Sequence, residues 1–371
     1  GRRYSDNAET RASTMHWLGD RKGSIQAKAV ANYAALLAGY DKVNGLYDYA
    51  GSTGVEKLTL SASVQNTALR ALNGRKGTVG VYNYKTGELL CAVTSPTYDP
   101  DNVPDIAGDT TGAYEGVYLN RFLQSGYVPG SIFKIVTTAA ALECVPDIES
   151  RTFYCDGAYE YGTEAVTCET AHGTLDLKGA LAHSCNCSFA QIAKLVGRKN
   201  MEKYVAKYGI TDALSFDGVT SAKGNYDIAD TGARFMTFLG TVAAGGKGVE
   251  PYLVASVERG GEAVYTASAQ STGRIMGEKT AKKLQQYLRN NVQTIYGDGN
   301  FPGLSVCAKS GTSQLGGGQK SNAMFAGFVM DESYPLAFIV VVENGGYGSA
   351  TCVPVLSQVL QACKTELDSR P

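Results

Sequence analysis

The chain has 371 residues, of which 34 are Lys or Arg and 35 are Asp or Glu, so its formal net charge is −1. This near-neutral balance excludes the basic surface that nucleic-acid binding requires. Apolar residues make up 44% and charged residues 19%, which is typical of a folded globular protein and excludes disorder. The length allows one large domain with an appendage, at about 150 residues per domain. The sequence has no run approaching the roughly 18 apolar residues of a membrane span.

The N-terminal part of the chain lacks a long periodic pattern. It is interrupted by four glycines: Gly39, Gly45, Gly51 and Gly54. We therefore expect residues 1–55 to form an irregular N-terminal segment, and we expect the folded core to begin after it.

The middle of the chain has the apolar spacing of helices. Apolar residues recur at helical intervals over residues 131–143, directly after Pro129-Gly130, which is typical of a helix N-terminus. The same reasoning predicts further helices over residues 64–72, 175–183, 189–196 and 278–291.

Strand patterns lie at the two ends of this helical region. Residues 78–84 and 88–93 flank the turn residues Lys85-Thr86-Gly87 and predict a β-hairpin. Near the C-terminus, apolar runs predict strands over residues 304–309, 324–330 and 336–343, followed by a helix over 353–367. Such an order does not form a simple βαβ repeat. We therefore predict an α+β fold: one mostly antiparallel sheet, built from the N- and C-terminal strands and covered by helices, with a mainly helical middle region.

Three short motifs occur in the order Ser131-Ile-Phe-Lys134, Ser184-Cys-Asn186 and Lys309-Ser-Gly311. Each of the first two patterns is expected about once by chance in a chain of this composition. The chain contains such decoys, since Ser5-Asp6-Asn7 fits the second pattern and Lys85-Thr86-Gly87 fits the third. We assign the third motif to residues 309–311 because they follow an apolar strand, whereas turn chemistry explains Lys85-Thr86-Gly87.

The first motif has the residue types of nucleophilic catalysis. Ser131 and Lys134 lie three residues apart, so a helix places them on one face, with Ser131 in the first turn where backbone N–H groups favour developing negative charge. A desolvated, neutral Lys134 amine would remove the proton of Ser131. The alternative is an ordinary helix start with a lysine that extends to solvent.

The second and third motifs supply hydrogen-bond donors and a cation. Ser184 could relay a proton to a leaving amine, and Asn186 could donate to a substrate amide carbonyl. The alternative for this pair is an interhelical cap. Lys309 and Ser310 would bind a substrate carboxylate, and Gly311 would let the substrate backbone approach the strand. The alternative for Lys309 is a solvated lysine on an edge strand.

The three motifs and the segments around them resemble the transpeptidase domain of class B penicillin-binding proteins. The segments that carry the resemblance are residues 77–90, 95–100, 129–134 and 309–314. It runs from about residue 56 to the C-terminus and implies a penicillin-binding transpeptidase fold over residues 56–371. Residues 11–20 are similar to the family's N-terminal pedestal, so residues 1–55 are predicted to be a remnant of that segment.

The resemblance implies a peptidoglycan D,D-transpeptidase that requires no cofactor. Ser131 would attack the penultimate D-Ala carbonyl of a stem peptide, and β-lactams would acylate the same serine. The resemblance further implies that the backbone N–H of Thr312 forms an oxyanion hole with that of Ser131. The alternatives are a D,D-carboxypeptidase, a serine β-lactamase, and a module that senses β-lactams without turning them over.

The resemblance also implies a place of action and partners. We expect the protein at the extracytoplasmic face of the bacterial cell membrane, held by an N-terminal anchor upstream of Gly1. Its expected partners are peptidoglycan stem peptides, β-lactam antibiotics and a membrane glycosyltransferase, but no nucleic acid.

The nine cysteines include a pattern with the residue types of a metal site. Cys155, Cys168 and His172 have the spacing Cys-x12-Cys-x3-His and flank a predicted hairpin turn at residues 159–162. Three alternatives remain open from the sequence: free or packed thiols, a disulfide between Cys155 and Cys168, and a structural zinc site. For zinc, a tetrahedral site needs a fourth ligand, for which the candidates are Asp156, Cys185 and Cys187.

Overall fold

The structure is a computed structural model. It describes residues 4–41, 45–47, 54–161, 163–217, 219–220, 230–313 and 320–370. None of the helices in these ranges is both long enough and apolar enough to cross a membrane.

The main helices and strands are labelled in chain order. The helices are α1 Ala8–Leu18, α2 Ala62–Leu72, α3 Lys134–Cys144, α4 Leu177–Ala182, α5 Asn186–Val196, α6 Arg198–Lys207, α7 Gly232–Ala243, α8 Glu278–Asn291 and α9 Gly348–Asp368. The strands are β1 Gly77–Asn83, β2 Leu89–Ser95, β3 Thr152–Cys155, β4 Ala158–Tyr161, β5 Glu164–Thr167, β6 Gly173–Asp176, β7 Val306–Ser313, β8 Asn322–Val329 and β9 Leu336–Val342.

Shorter elements connect these. They are the helices Lys28–Ala31, Ala34–Ala38 and Arg121–Gln124, the 3-10 turns Gly130–Phe133, Ile148–Ser150 and Asp298–Asn300, the π-helical turn Val292–Tyr296, and the strands Tyr40–Asp41, Leu46–Tyr47, Val55–Leu58, Gly126–Tyr127, Ser215–Phe216, Val219–Thr220, Asp230–Thr231, Lys247–Val249, Val254–Arg259, Glu262–Thr266 and Ser271–Arg274.

A five-stranded antiparallel sheet forms the centre of the fold, in the order β7-β8-β9-β1-β2. The N-terminal hairpin joins the C-terminal strands through β9 and β1, with Val340 opposite Val79. The predicted α+β fold, with one sheet from the two ends of the chain, is therefore confirmed. Among the described strands, β7 pairs only with β8 and therefore lies at an edge of the sheet.

Both faces of this sheet are buried, because successive side chains of a strand point to opposite faces. In β9, Leu336, Phe338 and Val340 pack with α2 and α9, whereas Ala337 and Ile339 pack with the helices of the middle region. A sheet covered by helices on both faces holds its edge strand in a fixed position. This matters because the third motif lies on that edge strand.

Helix α7 covers one face of the sheet, and the sequence pattern did not predict it. Ten of its twelve residues are buried. Its polar residues are only Arg234, Thr237 and Thr241, and the two threonines are buried, so the segment is a mainly apolar run. Such a run is equally compatible with a buried strand.

The other predicted elements are present, with shifts at their ends. The predicted hairpin strands 78–84 and 88–93 correspond to β1 and β2, and α8 has the predicted bounds. Residues 175–176 belong to β6 instead of a helix, and α9 begins five residues earlier than predicted.

The expectation of an irregular N-terminal segment is wrong for residues 8–18, which form α1. The side chain of Asn7 caps this helix by accepting a hydrogen bond from the Thr10 N–H at 3.0 Å. Trp17 is fully buried in the main core, and its Nε1 donates to the carbonyl of Ala92 on β2 at 2.7 Å. Gly51, one of the predicted breaks, lies outside the described residues. The division of the chain at residue 55 into pedestal and transpeptidase domain stays a prediction.

Candidate active site

Ser131 lies in the 3-10 turn Gly130–Phe133 that leads directly into α3. Lys134 is the first residue of α3, and its Nζ donates a hydrogen bond to Ser131 Oγ at 3.0 Å. The two side chains therefore meet on one face, as the spacing predicts. The alternative of a lysine that extends to solvent is wrong, because Lys134 is only 9% exposed.

The ammonium of Lys134 is at the centre of a network that joins the first two motifs. Besides Ser131, Nζ contacts the Ser184 carbonyl at 2.7 Å, the Ser184 Oγ at 3.1 Å and the Asn186 Oδ1 at 2.6 Å. An ammonium has three protons for these four oxygens, so it can shift among them. A proton on Nζ thus has direct contact with both serine hydroxyls.

Burial, and to a lesser extent charge repulsion from the nearby Lys309 ammonium, lowers the pKa of Lys134 to about 7. Negative charge on Cys168 or Cys185 acts in the opposite direction. A lysine with a pKa near neutrality has a substantial fraction of neutral amine at physiological pH. Such an amine can act as a base.

Ser184 and Asn186 are held in place by an unusual backbone and by a sulfur cap. Ser184 has φ +54°, in the left-handed region that residues other than glycine seldom adopt. The cap of α5 is the Sγ of Cys185, which accepts a hydrogen bond from the Ser188 N–H at 3.3 Å. The interhelical-cap alternative for Ser184 and Asn186 is therefore wrong.

The third motif lies within β7, which extends beyond the predicted strand 304–309. Lys309 is fully buried, so the alternative of a solvated edge lysine is wrong. Its Nζ donates to the carbonyl of Ser310 at 3.0 Å, and burial lowers its pKa to about 7. Among the described residues, no carboxylate pairs with this cation. An anionic group brought by a substrate would supply the missing charge.

Edge strand β7 packs closely against the turn that carries Ser131. Gly130 has φ +52°, and a Cβ at this position would lie 2.8 Å from the Thr312 carbonyl oxygen. A larger residue would clash there, which explains why glycine precedes the serine. On the other side, Thr312 Oγ1 accepts a hydrogen bond from the Gly348 N–H at 3.1 Å.

The two decoys have structural roles elsewhere. Asn7 of the first decoy caps α1, as described above. The second, Lys85-Thr86-Gly87, forms the turn of the β1–β2 hairpin, where Asn83 Oδ1 accepts hydrogen bonds from the N–H groups of Lys85 and Thr86.

Tyr296 contacts the third motif, and the sequence analysis missed it. Its hydroxyl lies 2.9 Å from Ser310 Oγ and accepts a hydrogen bond from the Ser310 N–H, also at 2.9 Å. It ends a π-helical turn, an element that is frequent at functional sites. No pattern in the sequence connects a tyrosine 14 residues upstream with Ser310.

A cluster of thiols and one imidazole lies beside the second motif. The possible ligand atoms of Cys155, Cys168, His172 and Cys185 lie within 4.8 Å of one another. The Cys168 and Cys185 sulfurs are 3.7 Å apart, and Cys155 Sγ is 3.5 Å from His172 Nδ1. All nine cysteines are free, so the structure contains no Cys155–Cys168 disulfide.

Of the candidates for the fourth ligand, the structure favours Cys185. Cys187 Sγ lies 3.5 Å from Cys168 Sγ but is not part of the group of four. Asp156 instead accepts a hydrogen bond from the Ala158 N–H within its own turn. Strands β4 and β5 do form a hairpin here, but residues 159–161 of the predicted turn belong to β4, and Cys155 lies on β3, which pairs with β6. Gly162 lies outside the described residues.

A surface cavity of about 500 Å³ lies apart from the three motifs. It is lined by residues 142–150 and by Lys279, Thr280 and Lys283. It contains no residue of the three motifs, so we assign it no part in their chemistry.

Comparison with known proteins identifies the family of this chain. The family model for the penicillin binding protein transpeptidase domain matches residues 77–361, which is more than half of the chain. The chain belongs to the transpeptidase domain family of the class B penicillin-binding proteins.

Two curated relatives show the range of similarity within this family. Peptidoglycan D,D-transpeptidase PbpA of Mycobacterium tuberculosis is 26% identical over 333 residues, covering 77% of this chain and 67% of that protein. Stage V sporulation protein D of Bacillus subtilis is 24% identical over 413 residues, covering 99% of this chain and 60% of that protein.

Solved structures share the fold. Penicillin-binding protein A from M. tuberculosis, as a ceftriaxone acyl-enzyme complex, has a TM-score of 0.83 at 22% identity, covering 95% of this chain and 91% of that one. The D,D-transpeptidase domain of a peptidoglycan glycosyltransferase from Eggerthella lenta has a TM-score of 0.82 at 23% identity, covering 100% of this chain and 93% of that one.

The Tyr296→Phe substitution tests the contact between the π-helical turn and the third motif. Removing the hydroxyl leaves the half-buried Ser310 N–H without its acceptor, so we expect the free energy of unfolding to fall by about 1–2 kcal/mol. Urea denaturation measures this loss. The matched control is Tyr118→Phe, on a tyrosine that is 48% exposed, with an expected change within about 0.5 kcal/mol. Equal effects of the two substitutions would contradict the contact.

Proposed function

We propose that this chain is a peptidoglycan D,D-transpeptidase whose nucleophile is Ser131. The observation that carries the proposal is the network around Lys134, in which one buried amine contacts both Ser131 Oγ and Ser184 Oγ. The names of the relatives support the same activity: PbpA of M. tuberculosis and MrdA of Salmonella typhimurium are both peptidoglycan D,D-transpeptidases.

The acylation step follows from the network. Neutral Lys134 takes the proton of Ser131 Oγ, which attacks the penultimate D-Ala carbonyl carbon of a stem peptide and forms a tetrahedral intermediate. Ser184 Oγ, 3.1 Å from Lys134 Nζ, relays a proton to the nitrogen of the terminal D-Ala. The C–N bond breaks, D-Ala leaves, and the donor remains as an ester on Ser131.

The other motif residues position the donor. Asn186 donates to an amide carbonyl of the donor, and Lys309 with Ser310 binds its terminal carboxylate. Gly311 lets the donor backbone lie along the edge of β7. The N–H groups of Ser131 and Thr312 form the oxyanion hole, a role taken over from the family resemblance; removing one such donor costs about 100-fold or more in rate.

An amine from a neighbouring stem peptide then attacks the ester carbonyl and regenerates Ser131. A β-lactamase or carboxypeptidase would use water instead. Among the described residues, the hydrogen-bond partners of Lys134 include no carboxylate that could activate water. This favours a long-lived acyl-enzyme and thus amine transfer.

The substrate sets the place of action and the partners. The curated relatives are peptidoglycan D,D-transpeptidases by name, and we propose that this chain acts on the same polymer outside the cytoplasm, with an N-terminal anchor as a prediction. A solved structure with a TM-score of 0.70 and 22% identity is that of a peptidoglycan synthase complex, described as coordinating polymerization and crosslinking. A glycosyltransferase partner is therefore part of the proposal.

We further propose that Cys155, Cys168, His172 and Cys185 bind one structural zinc ion. Tetrahedral zinc with bonds of about 2.3 Å to sulfur and 2.0 Å to nitrogen requires sulfur atoms about 3.8 Å apart and sulfur about 3.5 Å from nitrogen. Two of the six distances between ligand atoms, 3.7 Å and 3.5 Å, fit this geometry, and all six lie within 4.8 Å. The ion would fix the N-terminus of α5 and take no part in the acyl transfer, which itself requires no cofactor.

Ser131→Ala should abolish covalent labelling by fluorescent penicillin and leave the melting temperature unchanged, because it removes a hydroxyl from a turn and no core volume. Gel fluorescence measures the labelling, and thermal unfolding measures the melting temperature. The decoy variants Ser5→Ala and Lys85→Ala should label normally. Labelling of the Ser131 variant would refute the nucleophile.

In the unsubstituted protein, slow release of the label fits a transpeptidase or a sensor. Turnover of a stem-peptide thioester with an amine acceptor separates these two, because only a transpeptidase turns over the thioester.

The acylation rate should depend on the charge of Lys134. Only the neutral amine is a base, so the rate constant should rise as the pH approaches about 7. Above that pH it should fall, because burial also lowers the pKa of Lys309 to about 7 and neutral Lys309 no longer binds the carboxylate. Lys309→Met removes the neighbouring positive charge that lowers the Lys134 pKa, so this rise should move to higher pH. Stopped-flow labelling across pH measures the profile. The control Lys85→Met alters an exposed hairpin lysine and should leave it in place, and an unmoved profile in Lys309→Met would contradict the coupling.

Metal content tests the zinc proposal. Protein purified under reducing conditions without chelator should contain one zinc per chain by elemental analysis, and Cys168→Ser should lose it. Cys144→Ser, which changes a cysteine outside the cluster, should retain the metal. Protein without stoichiometric metal, with nine free thiols by mass spectrometry, would refute both zinc and a disulfide.

A further inference from the structure

One hydrogen bond connects the two sides of the cleft that the motifs form. The hydroxyl of Tyr347, in the loop between β9 and α9, donates to Glu169 Oε1, in the loop after β5, at 3.1 Å. We propose that these two side chains form a latch that selects acyl donors by the size of the group they project out of the cleft. This inference rests on the proposed function and adds two specificity-determining residues to it.

Tyr347 is fixed to the third motif. The next residue, Gly348, donates its N–H to Thr312 Oγ1 at 3.1 Å. The approach is so close that a Cβ on Gly348 would lie 2.1 Å from the Gly311 carbonyl oxygen. The base of the Tyr347 side chain therefore stays beside the edge strand on which we place the donor backbone.

Glu169 is fixed to the second motif in the same way. The preceding residue, Cys168, accepts a hydrogen bond through Sγ from the Asn186 N–H at 3.2 Å. The Asn186 Nδ2 in turn donates to the Thr167 carbonyl at 2.9 Å. Glu169 therefore directly follows two residues, Thr167 and Cys168, that Asn186 contacts. Asn186 is the residue proposed to bind the donor amide.

The latch lies where a donor side chain leaves the cleft. A donor esterified on Ser131, with its amide at Asn186 and its backbone along β7, has the Thr312 strand on one side and Asn186 on the other. In the proposed binding mode, the group attached to that amide leaves between these two sides, which the Tyr347–Glu169 hydrogen bond spans. We therefore expect a small donor to bind with the latch closed and a bulky one to open it.

Opening the latch requires only side-chain rotation. Tyr347 is 64% exposed and Glu169 is exposed, so solvent replaces the lost hydrogen bond. Breaking one such contact changes an equilibrium by about 3- to 10-fold. The latch therefore changes the relative rates of donors and does not exclude any of them.

The test compares acylation by two β-lactams of different size. One is 6-aminopenicillanic acid, which carries no acyl side chain, and the other is ceftriaxone, which carries a bulky one. Their second-order acylation constants are measured by competition with fluorescent penicillin. We expect Tyr347→Phe and Glu169→Ala each to raise the constant for ceftriaxone about 3- to 10-fold and to leave that for 6-aminopenicillanic acid within about 2-fold.

A double variant and a control sharpen the test. Because both substitutions open the same latch, the double variant should acylate no faster than the faster single variant. The control is Tyr334→Phe, which removes a hydroxyl that donates to Asp368 at 2.6 Å, on a residue that the motifs do not contact, and should change neither constant.

Three results would overturn the latch: unchanged constants for ceftriaxone in both variants, equal changes for both β-lactams, or slower acylation by ceftriaxone. Each of these results differs from what failure of the proposed function would give. If the proposed function were wrong, the unsubstituted protein would be acylated by neither compound, or the Ser131→Ala variant would be labelled equally well.

Discussion

The buried ammonium of Lys134 is the interaction on which the rest of the site depends. Placing a cation where it is 9% exposed is unfavourable unless oxygens surround it, and Ser131, Ser184 and Asn186 supply them. The same burial lowers the pKa of the amine to about 7. One physical constraint therefore assembles the first two motifs and makes the lysine a base.

The fold holds two parts of the site opposite each other: the segment with Ser131 and Lys134, and strand β7. Helix α3 carries Lys134 and the 3-10 turn before it carries Ser131, while β7 carries Lys309 on the edge of a sheet that is packed on both faces. Gly130 lets this turn approach the Thr312 carbonyl closely, because a Cβ there would lie only 2.8 Å from the carbonyl oxygen. Because both supports are rigid, the site needs no large rearrangement to bring its motifs together.

Sequence reasoning succeeded where a pattern has one physical explanation. The spacing of Ser131 and Lys134 indicates a shared face of one helical segment, and the apolar runs near the C-terminus indicate strands. It failed where the cause is tertiary: the left-handed backbone of Ser184 depends on its neighbours, and the contact of Tyr296 with Ser310 depends on a π-helical turn. Helix α1 escaped prediction because its buried side is defined only by the core it packs against.

The docking of α1 has a spectroscopic consequence. Trp17 is the single tryptophan of the chain, and its indole ring is fully buried against Phe122 with its N–H on the Ala92 carbonyl. Intrinsic fluorescence excited at the red edge therefore reports on the surroundings of this one residue, and so on the seating of the N-terminal helix on the sheet. An emission shift to longer wavelength would mark detachment of α1 even while the serine still reacts.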